Sequence, residues 1–312
     1  YNPRAGDLIQ EAIQSTWISD GPFVDQFEQR FNALINSPFG TTTSNGTTAL
    51  HLAMLGLGIG PGDEVIIPGF TFVAPANMAL MVGATPVYAD IDPHTWLLDP
   101  QSVEDKLTKR TKAVVAVHLY GNICNMDHLL EITERENLFL IEDTAEACLS
   151  RLRDKFAGSW GIAGCFSFQA TKTISMGEGG FVATPDESLY KKMQLIRSHG
   201  MRGEERYRHN LVGHNFRLTN LLAAVGCAQL EQVEDIIQKR RTLYERYREQ
   251  LSGVPGIQLQ YIHGEVEAVI WTLAIKIDPK VFQERDIVMA KMKEAQIETR
   301  PGFYPFSEMP LY

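Results

Sequence analysis

The sequence predicts an α/β protein, with a mostly parallel sheet covered on both faces in a large domain and a smaller α+β domain behind it. Three observations predict this. Short Val-, Ile- and Phe-rich runs alternate with amphipathic stretches through the first two-thirds of the chain. At 312 residues the chain is longer than one hydrophobic core usually serves. A helical pattern over 218–251 then divides that region from a tail of different character.

The strand candidates are Glu64–Phe70, Thr85–Ile91, Ala113–Leu119, Leu138–Asp143, Ala163–Phe168 and Gly180–Thr184. Met126–Asn137 reads as a helix between two of them. From Leu218 the apolar residues Leu221, Leu222, Val225, Leu230, Val233 and Ile237 recur at helical intervals, and beyond Gln238 the stretch turns charged. One long helix, buried at its start and exposed at its end, is expected there. Residues 1–237 are read as the large domain, with 1–20 packing on the small one, and 238–312 as the small domain. The latter should hold a strand at Ala268–Ile277 and a helix at Glu284–Ala295. Met201–Asn210, with Arg202, Arg206 and Arg208, reads as an exposed loop. The chain starts at Tyr1 rather than Met and stops at Tyr312, so both ends are expected to be cut and the small domain to be truncated.

Composition narrows the function. A formal net charge of −9 argues against a broad nucleic-acid surface while leaving room for a local basic pocket. No apolar run approaches the length of a membrane span. Cys124, Cys148, Cys165 and Cys227 lack CxxC or zinc-site spacing, so they are expected to be buried free thiols in a reducing cytosol, with no metal.

Three motifs carry chemistry. Ser44-Asn45-Gly46-Thr47-Thr48 leads into an apolar helix at His51–Leu57; a helix start of this kind suits a phosphate, and equally an ordinary Ser/Asn cap. Leu138–Asp143 ends a buried strand in a carboxylate; in parallel sheets that end faces the ligand crevice, although a helix-capping aspartate has the same signature. Phe166-Ser167-Phe168-Gln169-Ala170-Thr171-Lys172 precedes Gly177-Glu178-Gly179-Gly180, so Lys172 follows a buried strand and lies between apolar runs. Burial favours the neutral amine that forms a Schiff base; a solvated loop lysine is the alternative. Together these supply a phosphate cradle, a partner for a pyridinium nitrogen and a Schiff-base lysine, which are the requirements of pyridoxal 5'-phosphate (PLP).

The stretches SNGTTALHLA, PGDEVIIPGFTFVAPANMAL, GATPVYADID, VHLYGNICNMD, IEDTAEA, FSFQATKTISMGEGG, RSHGM and NFRLTNLLAAVGCAQLE, in that order, resemble the DegT/StrS family of PLP-dependent nucleotide-sugar aminotransferases. The resemblance implies the fold-type-I, aspartate aminotransferase-like PLP transferase architecture. It also implies residue roles. Lys172 matches the Schiff-base lysine, Asp143 the partner of the pyridine nitrogen, and Glu146 the residue beside the ring's phenolic oxygen. Gly46, Thr47 and Ser167 match phosphate ligands, and Phe72 matches an aromatic stacked on the ring. Asn215 matches an asparagine reaching the neighbouring subunit's cofactor phosphate, which implies a homodimer with shared sites.

Read locally, Phe72 fits a core aromatic, Ser167 a satisfied strand serine and Asn215 a turn residue. His118 is read as a satisfied core histidine, and His199 is assigned no role. Two places depart from the family pattern: Cys148–Arg153, where relatives carry a Gly/Ala-containing stretch, and Ser307, where many carry histidine.

The tail TRPGFYPFSEMPLY most resembles the GDP-perosamine synthase branch. The implied reaction is a cytoplasmic transamination from an amino acid, expected to be L-glutamate, to GDP-4-keto-6-deoxymannose, feeding surface polysaccharide. The arginines at 202, 206 and 208 are candidates to meet the nucleotide diphosphate, or form a solvated loop face. The alternatives are a UDP- or dTDP-linked ketosugar as acceptor, or a catalytically silent PLP-binding scaffold. A sugar dehydratase of the same family would carry histidine at position 172, and a nucleotide-binding dehydrogenase would need a GxGxxG turn after its first strand.

Overall fold

The computed structural model describes residues 2–201 and 207–312. Its first elements are α1 (Arg4–Gln14), α2 (Pro22–Ile35), β1 (Phe39–Thr43), α3 (Gly46–Leu57), β2 (Glu64–Pro68), α4 (Ala74–Met81), β3 (Thr85–Ala89), α5 (Pro100–Asp105), β4 (Thr111–Val117), α6 (Met126–Arg135) and β5 (Phe139–Asp143). A short hairpin follows, β6 (Arg151–Leu152) and β7 (Lys155–Phe156), then β8 (Ala163–Ser167), β9 (Gly180–Thr184), α7 (Glu187–Arg197), α8 (Asn220–Leu230) and α9 (Val233–Leu251). The tail carries β10 (Ile257–Leu259), β11 (Val266–Glu267), β12 (Ile275–Ile277), α10 (Pro279–Phe282) and α11 (Arg285–Glu294).

The central sheet has seven strands in the order β1-β9-β8-β5-β4-β2-β3. β8, β5, β4, β2 and β3 run parallel, and β9 is antiparallel to both of its neighbours. Period-2 alternation sends successive side chains to two cores. In β8 and β9, Cys165 and Val182 join the core beneath α3, α4, α6 and α7, whereas Phe166, Phe181 and Ala183 join the core beneath α2 and α8. On α2, Phe23, Phe27 and Phe31 recur at i, i+4 and are all buried. The Phe31 ring lies 5.2, 5.1 and 5.0 Å from those of Phe166, Phe168 and Phe181, in edge contacts. These packed rings fix the strand from which Ser167 projects the opposite way.

The parallel sheet and the covered faces agree with the sequence reading; four details differ. The strand β1 is absent from it, because Phe39-Gly-Thr-Thr-Thr is polar by composition. Its threonines are nonetheless buried, and Glu28 takes the Thr42 amide at 2.7 Å and the Arg197 guanidinium at 2.8 Å. The single helix expected over 218–251 is two, broken at Glu231–Gln232, and α9 buries no side chain. Of the strand expected at Ala268–Ile277 only its end is present, as β12 paired with β10; β11, paired with β6, stops at Glu267, and the segment between the two spends its backbone groups on other partners. Residues 1–20, expected on the small domain, instead lay α1 along α8, burying Ala5, Leu8 and Ala12 and tying Asn2 Nδ2 to the Ala228 carbonyl at 2.7 Å. The boundary expected at 237/238 falls inside α9.

Candidate active site

Ligand crevices of parallel sheets open at the carboxyl ends of the strands. Here those ends present Asp143 from β5 and Ser167 from β8, and the start of α3 faces Ser167. Asn45 caps α3: its Oδ1 accepts the Thr48 amide at 2.9 Å, and Thr48 Oγ1 accepts the Asn45 amide at 3.1 Å. The cap expected from sequence is therefore present, and it leaves the amides of Gly46 and Thr47 with no intrahelical acceptor. A Cβ on Gly46 would stand 2.6 Å from Ser167 Cβ and 3.0 Å from its Oγ. Glycine alone lets the helix start approach that hydroxyl. Two free amides, a hydroxyl and a helix dipole then converge, a donor set that fits a phosphate.

Gly46→Ala is accordingly expected to cost about 1–3 kcal/mol of stability, because Ser167 is held by its strand, and to weaken PLP binding at least about tenfold. Thermal melting and PLP titration check it; unchanged affinity would place the phosphate elsewhere.

Beyond β8 the chain loops out and returns into β9, with the Phe168 amide on the Gly179 carbonyl at 2.8 Å and the Ala170 amide on the Gly177 carbonyl at 2.9 Å. Lys172 sits in this loop with its side chain only 13% exposed. Its Nζ lies 3.9 Å from Glu146 Oε1. Burial pushes the amine below its ordinary value, while Glu146 and Asp143 pull the other way. Asp143 is buried, and Ala145 donates its amide to Oδ1 at 3.1 Å. Its other oxygen has no protein partner among the described residues. Burial raises Asp143 above the usual carboxylate range, against the Ala145 hydrogen bond and the charges of Lys172 and His118. Burial likewise raises Glu146 to about 7, although Lys172 and the Tyr120 amide, at 2.8 Å, oppose the shift. A buried carboxylate lacking a full counter-charge fits a protonated pyridine nitrogen; with Lys172 and the cradle beside it, the residues fit PLP.

Phe72 is 54% exposed at the edge of this crevice, 6.0 Å from the Phe303 ring, so it is not a core aromatic. Thr47 is half-buried. Asn215 is exposed; its Oδ1 accepts Arg217 Nε at 3.0 Å, and the adjacent Phe216 carbonyl accepts the Ser44 amide at 2.7 Å, beside the cradle. His118 is a satisfied core histidine: Nδ1 accepts the Cys124 amide at 3.3 Å and Nε2 faces Glu142 Oε2 at 3.0 Å. His199 lies outside this group, its amide on the His214 carbonyl at 2.9 Å. Arg208 is exposed, and Arg202 and Arg206 lie outside the described residues. All four cysteines are buried and free.

The departing stretch Cys148–Arg153 turns into the β6–β7 hairpin. Leu149 and Arg153 hold φ of 71° and 56°, positions at which glycine is unstrained. Ser150 Oγ donates to the Gly121 carbonyl at 2.7 Å and accepts the Val269 amide at 2.9 Å. Ser307 is exposed, while its neighbour Phe306 stacks on Tyr88 at 4.7 Å and anchors the tail to the Gly69 carbonyl at 2.9 Å.

Sequence reasoning missed the groups that reach the site from far along the chain. Tyr120, strained at φ 62°, gives its amide to Glu146 and its carbonyl to the Trp271 amide at 3.0 Å. The Trp271 ring lies 3.7 Å from Lys172 Nζ. Arg240 Nη1 donates to the Ile270 and Trp271 carbonyls at 3.1 and 2.9 Å. No local pattern marks any of the three. Among the described residues no helix is long and apolar enough to cross a membrane.

Comparison with known proteins agrees with this geometry. The model of the DegT/DnrJ/EryC1/StrS aminotransferase family matches residues 3–312. The chain is 40% identical over 308 residues to a GDP-perosamine synthase of Escherichia coli O157:H7, covering 98% of this chain and 83% of that protein. It is 42% identical over 313 residues to one from Caulobacter vibrioides, covering 98% and 83%. A Streptococcus pneumoniae protein, Spr1654, solved in a PLP form, superposes with a TM-score of 0.95 at 25% identity, covering 100% of this chain and 85% of that one.

Proposed function

Since the chain belongs to the DegT/DnrJ/EryC1/StrS aminotransferase family, we propose that it is a PLP-dependent transaminase whose donor is L-glutamate and whose acceptor is GDP-4-keto-6-deoxymannose, yielding GDP-perosamine. The observation that carries this reading is the trio of Lys172, with a side chain 13% exposed, and the buried Asp143 and Glu146, together with the Gly46–Ser167 cradle. Similarity to GDP-perosamine synthases over nearly the whole chain supports this choice of acceptor.

PLP, when bound, supplies an electrophilic aldehyde and a ring that accepts electrons. Gly46, Thr47 and Ser167 hold its phosphate. Asp143 would keep the pyridine nitrogen protonated, and Phe72 would be the aromatic that packs on the ring. Lys172 Nζ takes the proton from the donor's α-carbon and delivers it within the site, then reverses these moves when the ketosugar arrives. That role needs an amine that both gains and loses a proton near neutral pH, and burial lowers the Lys172 value in that direction. Glu146 would be the residue beside the ring's phenolic oxygen. Asn215, exposed next to the cradle, would reach the cofactor phosphate of a second subunit in a homodimer.

The test is an absorbance spectrum of the PLP-loaded protein before and after L-glutamate. The lysine-bound band is expected to convert to the pyridoxamine form, and GDP-4-keto-6-deoxymannose to restore it. A band that ignores glutamate would favour the silent scaffold. Restoration only by a UDP- or dTDP-linked ketosugar would overturn the acceptor.

A further inference from the structure

The closest partner of Lys172 Nζ is not a carboxylate. The amine lies over the Trp271 ring at 3.7 Å from its centroid, with Glu146 Oε1 next at 3.9 Å. Trp271 is held through its indole N–H and through both of its backbone groups. Its Nε1 donates to the Thr171 carbonyl at 2.9 Å, immediately before Lys172. Its amide donates to the Tyr120 carbonyl at 3.0 Å, and Arg240 Nη1 donates to its carbonyl at 2.9 Å. Ser150 and Gly121 hold the approach: a Cβ on Gly121 would meet the Val269 carbonyl at 2.5 Å, so the strand end and the 269–271 segment touch backbone to backbone. Nothing in this assembly requires an aromatic face toward the lysine, yet it presents one. An ammonium over an indole face is stabilised by the ring's quadrupole.

We propose that the indole face of Trp271 is where the Lys172 ammonium docks whenever that amine is not joined to the cofactor. Trp271 is then a positioning residue that sets how readily Lys172 gives up and retakes its proton. The inference rests on the reading that Lys172 holds PLP. The charged groups facing Nζ are Glu146, from the turn after β5, and Asp143, the last residue of β5. Arg240 of α9 reaches only the Lys172 carbonyl, at 3.5 Å. The ring face and the carboxylates favour the ammonium, and burial opposes them. Removing the ring alone therefore favours the neutral amine.

Capture of PLP by the apoprotein reads this directly. Lys172 Nζ joins the aldehyde carbon, one water leaves, and an ammonium must first release a proton to solvent. The capture rate is measured against pH for the wild type, Trp271→Leu and Trp271→Phe, with the adduct trapped by borohydride and located by mass spectrometry. Trp271→Leu is expected to move the midpoint of the profile down by about half a unit to one unit. Trp271→Phe, which keeps a ring face and loses the indole N–H, is expected to restore most of that shift. Equal midpoints in all three overturn the proposal. So does a Phe variant that behaves like Leu, which would assign Trp271 to its Thr171 hydrogen bond instead.

If the Leu variant does not fold, fluorinated tryptophan incorporated throughout the wild type serves. It weakens the ring face without changing its shape, and among the described residues only Trp271 of the four tryptophans lies over Lys172. A downward shift supports the docking, and no shift overturns it. A wild type that forms no adduct on Lys172 would sink the proposed cofactor role instead, a result distinct from any of these.

Discussion

Replacing Lys172 with alanine is expected to abolish amino-group transfer, with a loss of at least about 10⁴-fold, while PLP still binds through the cradle. The side chain has two duties on this reading, holding the cofactor and moving the proton, and no neighbour can assume either. Glu146 is the nearest acid, with Oε1 at 3.9 Å from Lys172 Nζ and Oε2 on the Tyr120 amide at 2.8 Å, but a carboxylate cannot join the aldehyde. His118 follows the interior strand β4 and is fully buried, with both ring nitrogens engaged. Lys172→Arg separates charge from proton transfer. It keeps a cation over Trp271 and beside Glu146, but a guanidinium does not deprotonate in this range and cannot join the aldehyde. Both variants are therefore expected to be equally inactive in a glutamate half-reaction followed by absorbance, with the arginine variant the more heat-stable of the two. Transamination surviving in either variant would overturn the assignment of Lys172.

The contrast between Lys172 and Trp271 explains what was legible beforehand. Asp143, Glu146, Ser167 and Lys172 lie on or just after strands whose burial is written in local composition, so their placement follows from chain order and the rule for parallel sheets. Phe166 and Phe168 flank Ser167, and period-2 alternation alone turns the serine toward the cradle; the packed rings bear that out. Trp271 lies 99 residues beyond Lys172 and arrives through backbone hydrogen bonds to Tyr120 and Arg240, which leave no periodic trace. The same cause undid the strand expected at Ala268–Ile277. Its apolar residues suit a ladder, but the backbone between β11 and β12 bonds to the site instead. β1 failed in the opposite sense, because its threonines satisfy their hydroxyls on Glu28 and neighbouring backbone and so tolerate burial that composition argues against.

Asp143→Asn is expected to lower turnover by about 10²–10³-fold and, in the same protein, to raise the melting temperature of the apo form. The two effects share one origin. On the proposed reading, a carboxylate buried without a full counter-charge is unfavourable until a protonated ring nitrogen pairs with it, so the group that would serve the chemistry destabilises the empty protein. Burial places both Asp143 and Glu146 above their ordinary values in the folded state. The folded apoprotein therefore holds these protons more tightly than the unfolded chain, and the stability they contribute, complete at low pH, is lost as pH rises. For Glu146, which moves from 4.5 to about 7, that window spans those two values. The loss across it is on the order of 3 kcal/mol. The Asp143 charge is one cause of the Glu146 shift, so Asp143→Asn should also flatten the decline. Subtracting the variant's stability-versus-pH profile from that of the wild type removes the contributions of histidines that titrate nearby. A difference that grows with pH between those limits, and vanishes once PLP is added to the wild type, ties the stability penalty to the partner of the ring nitrogen. A flat difference would mean that Asp143 is already neutralised by Lys172 in the empty site, and the loss of activity in the variant would then need another explanation.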